Sequence, residues 1–167
     1  MIQDFQYSSN INYHTKHLLG IDDGAFPSFV KIKKKTFKTL LVGVLLTNMR
    51  LEWIGSELIT VDGNEATDTI IKIVKTSPIK PDIIFLSGIS FAGFNIADPF
   101  KINNNLSIPI IIVVDRKPSM PSIKDALMKH FPDWENRWKV IEKTQPLIEI
   151  KQTEKSKPIY SFSLGLD

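Results

Sequence analysis

Residues 36–61 read TFKTLLVGVLLT (36–47), Asn48-Met49 and RLEWIGSELITV (50–61), and this stretch decides how the predicted sheet begins. The first run is rich in Leu, Val and Thr and the second in Leu and Ile, which is typical of strands. Only two residues separate the runs. Adjacent strands joined this tightly predict an antiparallel hairpin.

An amphipathic helix is predicted directly after this hairpin. Asp62 precedes Glu65 by three residues, as in a capping box, and Ser77-Pro78 ends the helical pattern. Apolar residues at spacings of i, i+4, i+7 and i+8 place one stripe on a single helix face. The stripe consists of Ala66, Ile70, Ile73 and Val74.

The rest of the chain alternates between strands and helices. Two short runs are continuously apolar, which is typical of strands buried on both faces. Trp134 and Trp138 stand at helical spacing and are expected to pack against neighbouring elements rather than to stack on bases. The predicted elements are a strand at 82–86, a weak helix ending near 103–105, a strand at 108–114, helices at 122–131 and 134–141, and a C-terminal hairpin of 147–150 with 159–164.

These elements predict an α/β fold. A short strand at 17–23 precedes the hairpin, so the order is β-β-β-α-β-α-β-α followed by the terminal hairpin. An antiparallel start followed by crossover helices gives a mixed sheet flanked by helices, and this order matches a ribonuclease H-like fold. The length suits one domain over 1–167, with the polar residues 1–16 as a loose N-terminal arm.

Composition excludes several classes of protein. The chain has no cysteine, which excludes disulfides and Cys-based zinc sites. It has neither an apolar run of membrane-spanning length nor a signal-peptide core, so we expect a cytoplasmic protein with no membrane partner. The net charge of +3 permits nucleic-acid binding. One dense basic cluster is either a solvated loop or an edge that contacts phosphate; it comprises Lys31, Lys33, Lys34, Lys35 and Lys38.

Charged side chains follow the ends of the predicted strands, where ligands gather in open α/β sheets. Carboxylates there suit Mg²⁺, which can orient a water against a phosphodiester, and a nearby Lys or Arg can neutralise the phosphate. This pattern predicts metal-dependent phosphodiester hydrolysis, with Asp22, Asp23 and Asp62 as candidate metal ligands. The groups are Asp22-Asp23, then Asp62, Glu65 and Asp68 at the helix start, Ser87-Gly88, and Asp115-Arg116-Lys117.

Each of these groups also has a purely structural interpretation. Asp22 and Asp23 can shape the turn that follows their strand. Asp62 can be the N-cap of the helix. Glu65 and Asp68 suit a helix N-terminus through the helix dipole, and the basic residues after the fifth strand can be solvated.

The loop GISFAGFN at 88–95 is apolar yet contains two glycines, two phenylalanines and an asparagine. Glycine lets a backbone approach a ligand closely, and aromatic rings beside an amide can hold a displaced base by stacking and hydrogen bonding. The alternative is a buried connection capped by Phe91 and Phe94. The candidate substrate-binding residues are Ser87, Gly88, Phe91, Gly93, Phe94 and Asn95.

Four blocks, taken in order, resemble an archaeal endonuclease V-like family that is also called endonuclease dU. The resemblance runs from about His17 to Arg137. It implies a ribonuclease H-like fold and a Mg²⁺- or Mn²⁺-dependent nuclease for nucleic acid with deaminated bases, uracil or inosine. DNA is favoured over RNA as the partner, and the sequence does not decide between them. The blocks are 20–24, 59–63 with Ala66-Thr67, 88–95 and 109–118.

The same resemblance implies catalytic roles for individual residues. Asp22 falls where endonuclease V has an acid at the end of its first strand. Glu65 or Asp68 falls at the acid of the first helix, and the two remain alternatives. Arg116 or Lys117 falls at the basic residue after the later buried strand.

Ser87 departs from this pattern, because endonuclease V has an aspartate at the end of the corresponding strand. A neutral hydroxyl is a poorer Mg²⁺ ligand than a carboxylate. The second hypothesis is therefore a non-catalytic nucleic-acid-binding module with a degenerate metal site. The sequence leaves the oligomeric state open.

Overall fold

A computed structural model describes residues 16–26, 37–151 and 153–166 of the chain. Within these ranges the chain forms nine strands and four helices. In chain order they are β1 (His17–Asp23), β2 (Lys38–Thr47), β3 (Arg50–Thr60), α1 (Ala66–Thr76), β4 (Ile83–Leu86), β5 (Ser90–Phe91), β6 (Asn95–Ile96), α2 (Pro99–Leu106), β7 (Ile110–Val114), α3 (Met120–His130), α4 (Trp134–Lys143), β8 (Ile148–Ile150) and β9 (Ile159–Leu164).

Seven strands form one mixed sheet in the order β3-β2-β1-β4-β7-β9-β8, while β5 and β6 form a separate small hairpin. The three central strands β1, β4 and β7 run parallel, and β2 and β9 pair antiparallel on either side of them. The carboxyl ends of the three parallel strands therefore meet at one edge of the sheet, as the sequence predicted.

The hairpin predicted from residues 36–61 is confirmed. β2 pairs with β3 from Lys38 opposite Thr60 to Thr47 opposite Arg50. Asn48 and Met49 connect the strands with φ of 49° and 64°. Two positive φ values in a two-residue loop are typical of a type I′ turn, whose twist matches that of the strands.

The two faces of the sheet differ in how they are covered. On one face, alternate strand residues are buried in a core that also takes in α1 and α2 through Ile70, Ile73 and Ile102. On the opposite face, Leu40 and Leu58 remain about half exposed. We call this the open face; its centre forms a groove of about 670 Å³ lined by Gly20, Asp22, Val42, Val44, Phe85, Ser87, Val113, Asp115 and Ile159, among others.

Neighbouring residues of β3 provide a test of this difference. Ile59 is fully buried and Leu58 is 57% exposed. We expect Ile59→Ala to lower the free energy of unfolding by about 2–4 kcal/mol, because it leaves a cavity in the core. Leu58→Ala should cost less than about 1 kcal/mol. Urea denaturation of both variants checks this, and equal losses would mean that the open face is covered in solution.

Most of the other predicted elements are confirmed, with shifted boundaries. The weak helix is α2, which begins where the Asp98 side chain accepts hydrogen bonds from the amides of Phe100 (3.0 Å) and Lys101 (3.2 Å). Trp134 and Trp138 pack against a second core cluster around Leu127 and Ile141, as predicted. The terminal hairpin forms between β8 and β9.

The predicted capping box of α1 is wrong. The helix begins at Ala66 after Glu65, and Asp62 lies in a turn with a φ of 59°. Its carboxylate accepts a hydrogen bond from the Phe94 amide, so it caps a distant loop instead of the helix. The physical reason is that a buried side chain from elsewhere in the chain, Asn95, takes the place of the cap by accepting the Ala66 amide.

Some predictions fall outside the described residues. These include the N-terminal arm apart from Lys16, and the basic cluster apart from Lys38, which is exposed at the start of β2. None of the helices formed by the described residues is long and apolar enough to span a bilayer.

Candidate active site

Asp22 and Ser87 meet at the carboxyl ends of the neighbouring parallel strands β1 and β4. The Ser87 amide donates to the Ile21 carbonyl at 3.2 Å, which brings the two strand ends together. The Ser87 hydroxyl donates to Oδ1 of Asp22, an oxygen that also accepts the Asp23 amide at 2.9 Å. Both side chains are exposed and line the groove of the open face.

The Asp23 side chain points to the opposite side of the sheet from Asp22. Its Oδ2 accepts the Ala92 amide at 2.8 Å, which ties the end of β1 to loop 88–95. Burial raises the pKa of the Asp23 carboxyl; the hydrogen bond from Ala92 opposes this effect, and the nearby charge of Asp22 adds to it. Asp23 is thus a partly buried carboxylate that already has a structural partner.

Asp62 fixes the same loop from the turn between β3 and α1. Its amide donates to the Ala92 carbonyl at 2.8 Å, and its Oδ1 accepts the Phe94 amide at 2.9 Å. Gly93, between them, has a φ of +88°, and a Cβ added there would lie 2.3 Å from Asp62 Oδ1. Only glycine permits this close approach.

Glu65 organises the start of α1. Its carboxylate accepts the amides of Thr60 (2.6 Å) and Asn64 (2.9 Å) and the side-chain amide of Asn95 (3.1 Å). Burial alone would raise the pKa of Glu65, but the hydrogen bonds from Thr60 and from the Glu65 and Asn64 amides outweigh it and lower the pKa from 4.5 to about 2. The described contacts of Glu65 are thus structural.

This depressed pKa makes the contribution of Glu65 to stability dependent on pH. A carboxyl whose folded-state pKa lies below its unfolded value stabilises the fold above the unfolded value, and this stabilisation is lost as pH falls through the folded value. We expect Glu65→Gln to lower the free energy of unfolding by about 1–3 kcal/mol at neutral pH. The difference from wild type should shrink as pH falls from 4.5 towards about 2.

Urea unfolding across this pH range measures the effect. Glu135→Gln, on the exposed surface of α4, is the matched control and should show little change. A Glu65→Gln deficit that stays constant down to the lowest pH would contradict the role assigned to the ionised carboxylate.

Loop 88–95 borders a cavity of about 270 Å³ on the helical side of the sheet. We call it the loop cavity. Ser87 belongs both to its wall and to the wall of the groove that holds Asp22, so the two spaces adjoin at this residue. The lining includes Ser87, Gly88, Ile89, Ser90, Phe94, Ile112, Met120, Ile123, Ile141 and Gln145.

Three of the six predicted substrate-binding residues, Phe91, Gly93 and Asn95, do not line this cavity. Phe91 is fully buried in the main core. Asn95 is fully buried as well, and its amide accepts from the Ala66 amide and donates to the Thr60 carbonyl and the Glu65 carboxylate. Both therefore hold the loop in place. Gly93 shapes the loop, which leaves Ser87, Gly88 and Phe94 on the cavity wall.

The remaining predicted catalytic residues do not line the groove that holds Asp22. Arg116 and Lys117 are exposed directly after β7, whose Asp115 lines the groove. Arg116 lies 3.6 Å from Asp115, an exposed pair that adds little stability. Asp68 lies in a surface depression with three lysines on α1 and α2. Neither Glu65 nor Asp68 lines the groove that holds Asp22.

Arg137 of α4 was not identified from the sequence. Its guanidinium reaches three backbone carbonyls of the turn after β3 and of loop 88–95. The only sequence signal was the i,i+4 spacing between Asp133 and Arg137, which is common on exposed helices.

Known proteins place the chain in a family. A family model described as Endonuclease dU matches residues 14–167. The chain belongs to the Endonuclease dU family. A UPF0215 protein of Thermococcus kodakarensis is 40% identical over 153 residues, which cover 90% of this chain and 75% of the relative. The family predicted from the four sequence blocks is thus confirmed.

Solved structures confirm the fold of this Endonuclease dU chain. A protein of unknown function from Archaeoglobus fulgidus superposes with a TM-score of 0.75 at 28% identity, covering 91% of this chain and 80% of that one. Human endonuclease V superposes with a TM-score of 0.53 at 11% identity, covering 89% and 69%. At that identity the likeness shows the fold alone, which is the predicted ribonuclease H-like fold.

The described part of the Endonuclease dU chain contains no group of three or more His, Cys, Asp or Glu side chains placed to hold one ion. Asp22 is nevertheless exposed, and no described residue donates a hydrogen bond to its Oδ2. Mg²⁺ is commonly bound through one or two carboxylates, with waters and substrate phosphates completing the shell. The donor set of Asp22 and Ser87 fits such an open site, and does not fit a closed protein cage.

Proposed function

We propose that this Endonuclease dU chain is a metal-dependent endonuclease that cleaves nucleic acid beside a deaminated base, with uracil and inosine as the candidate bases. One observation carries the proposal. The Asp22 carboxylate, at the end of a central strand, adjoins the loop cavity through Ser87. A carboxylate for the metal ion and a recess for a base thus lie side by side.

Asp22 is the residue we propose to hold Mg²⁺ or Mn²⁺, with Ser87 oriented towards the same point. A bound divalent ion would polarise the phosphodiester and lower the pKa of an attacking water. The chain itself would supply the negative charge of Asp22. Hydrogen bonds from the Ser87 hydroxyl and the Asp23 backbone amide would keep this carboxylate oriented. Arg116 and Lys117, exposed after β7, are proposed to contact the phosphate backbone.

The loop cavity is the proposed site for the displaced base. Its volume of about 270 Å³ lies just below the roughly 300–1,000 Å³ of sites for drug-sized ligands, so it suits a smaller group. Phe94 offers an aromatic wall for stacking, while Ser87 and Gln145 offer polar atoms for the edge of a base. This combination is what enzymes that take a base out of the stack require.

A cleavage assay tests the proposed function. Labelled DNA strands containing one uracil or inosine, labelled RNA strands containing one inosine, and matched strands with the parent cytosine or adenine are incubated with purified protein in Mg²⁺, Mn²⁺ or EDTA. We expect metal-dependent cleavage of the modified strand and little cleavage of the matched one. If protein that is free of contaminating nucleases cuts no modified strand with any of these metals, the proposal is refuted.

A second candidate is a nucleic-acid-binding module without catalysis. It is favoured by the neutral Ser87 at the end of β4. It is also favoured because the Asp23 and Asp62 carboxylates accept hydrogen bonds from loop 88–95 instead of facing Asp22. Binding of the modified strand in EDTA, together with no cleavage in any metal, would support this alternative over the endonuclease.

A further inference from the structure

Arg137 donates more side-chain hydrogen bonds than any other lysine or arginine in the described part of the chain. Its side chain is 11% exposed although it lies on α4, a helix with a largely exposed surface. Its Nε contacts both carboxylate oxygens of Asp133, at 3.1 and 3.0 Å. The plane of the guanidinium is thereby oriented from within its own helix.

The other end of the guanidinium joins two distant segments. Nη1 donates to the carbonyls of Asp62 (3.3 Å) and Gly63 (2.9 Å) in the turn between β3 and α1. It also donates to the carbonyl of Phe94 in loop 88–95. One side chain therefore links α4, the turn and the loop.

Aromatic rings extend this arrangement to the wall of the loop cavity. The Arg137 guanidinium lies over the Phe131 ring, 4.3 Å from its centroid. The Phe131 ring in turn meets Phe94 edge-on, with centroids 5.4 Å apart. The backbone of Phe94 is thus held by Arg137, and its ring by Phe131. We call Arg137, Asp133, Phe131 and Phe94 the Arg137 cluster.

We infer that Arg137 is a positioning residue that holds Phe94 at the wall of the loop cavity and thereby sets the preference for the base bound there. The inference rests on the proposed function for its substrate. Phe94 is held from three directions: the Asp62 carboxylate binds its amide, Arg137 binds its carbonyl and Phe131 packs on its ring. A lysine cannot replace the planar guanidinium in this role, because it lacks both the fork of donors and the flat face.

Arg137→Lys is the decisive variant, and Lys124→Met is its matched control. Lys124 also lies over an aromatic ring of α4, at 5.1 Å from the centroid of Trp138, but it has no described contact with loop 88–95. Thermal unfolding of each variant establishes that it is folded. Asp133→Asn is a milder second variant, since it removes the charge and one of the two acceptor oxygens that orient Nε but keeps the guanidinium.

The first readout is amide hydrogen exchange, which does not depend on any activity. In Arg137→Lys we expect the Ala92 and Phe94 amides to exchange faster by roughly tenfold or more, because a hydrogen bond to a charged donor is lost from the loop. The Ile84 amide in β4, which donates to the Pro109 carbonyl at 2.9 Å, should not change. Unchanged exchange at Phe94 would overturn the inference.

The second readout is base preference, measured as the ratio of Kd values for matched and uracil- or inosine-containing strands in EDTA. We expect this ratio to fall roughly tenfold in Arg137→Lys, to fall less in Asp133→Asn and to stay at the wild-type value in Lys124→Met. Faster loop exchange with an unchanged ratio would overturn the role in base preference. A wild-type protein without any base preference would refute the proposed substrate, while exchange would still decide whether Arg137 holds the loop.

Discussion

Replacing Asp22 with asparagine should lower the rate of metal-dependent cleavage by at least about 100-fold. Asparagine keeps the shape of the side chain and an oxygen that can accept the Ser87 hydroxyl. It removes the negative charge that we propose as the protein ligand of the ion. The loss should therefore appear in the chemical step while the fold remains intact.

Single-turnover cleavage of a uracil- or inosine-containing strand measures this effect, with thermal unfolding recorded in parallel. Asp125→Asn removes an exposed carboxylate from α3 and serves as the matched control, with a rate expected within about threefold of wild type. Cleavage by Asp22→Asn at the wild-type rate would remove Asp22 from the proposed site.

Replacing Ser87 with aspartate should strengthen metal binding. The Ser87 hydroxyl lies within hydrogen-bonding distance of Asp22, so a carboxylate there would place a second charged ligand at the same point. We expect the Kd for Mn²⁺ to fall by at least about tenfold, which corresponds to about 1.4 kcal/mol. Without metal, the two carboxylates repel each other and the protein should melt at a lower temperature.

Calorimetry with Mn²⁺ and thermal unfolding in EDTA test both halves of this expectation. Ser90→Asp is the control, since Ser90 is an exposed serine of the neighbouring loop whose hydroxyl contacts the Gly93 carbonyl instead of Asp22. An affinity for Mn²⁺ that is the same in Ser87→Asp and wild type would show that no ion binds between these strands.

The fold was predictable because its elements have strong local patterns. Alternation and length identify the β2–β3 hairpin, and the stripe around Ile70 and Ile73 identifies α1. The capping box failed because the Ala66 amide is bound by Asn95, a residue 29 positions away. No local pattern reports a cap supplied from another loop.

The candidate site was predictable in part. The strand order brings Asp22 next to Ser87, and this follows from the parallel pairing of β1 and β4. The orientation of Phe91 and Asn95 did not follow, because the direction of a loop side chain depends on the core around it. Arg137 was missed because its carbonyl partners lie 43 to 75 residues away.

The adjacent acids at the end of β1 constrain how that strand can pair. Successive side chains of a strand point to opposite sides of a sheet, so Asp22 reaches the groove while Asp23 reaches the Ala92 amide. A slip of one residue in the pairing of β1 would exchange the sides of the two carboxylates. Asp22 would then be partly buried, and Asp23 would lose the Ala92 amide. An insertion or deletion within β1 should therefore abolish the anchor of loop 88–95 and the exposed charge in a single step.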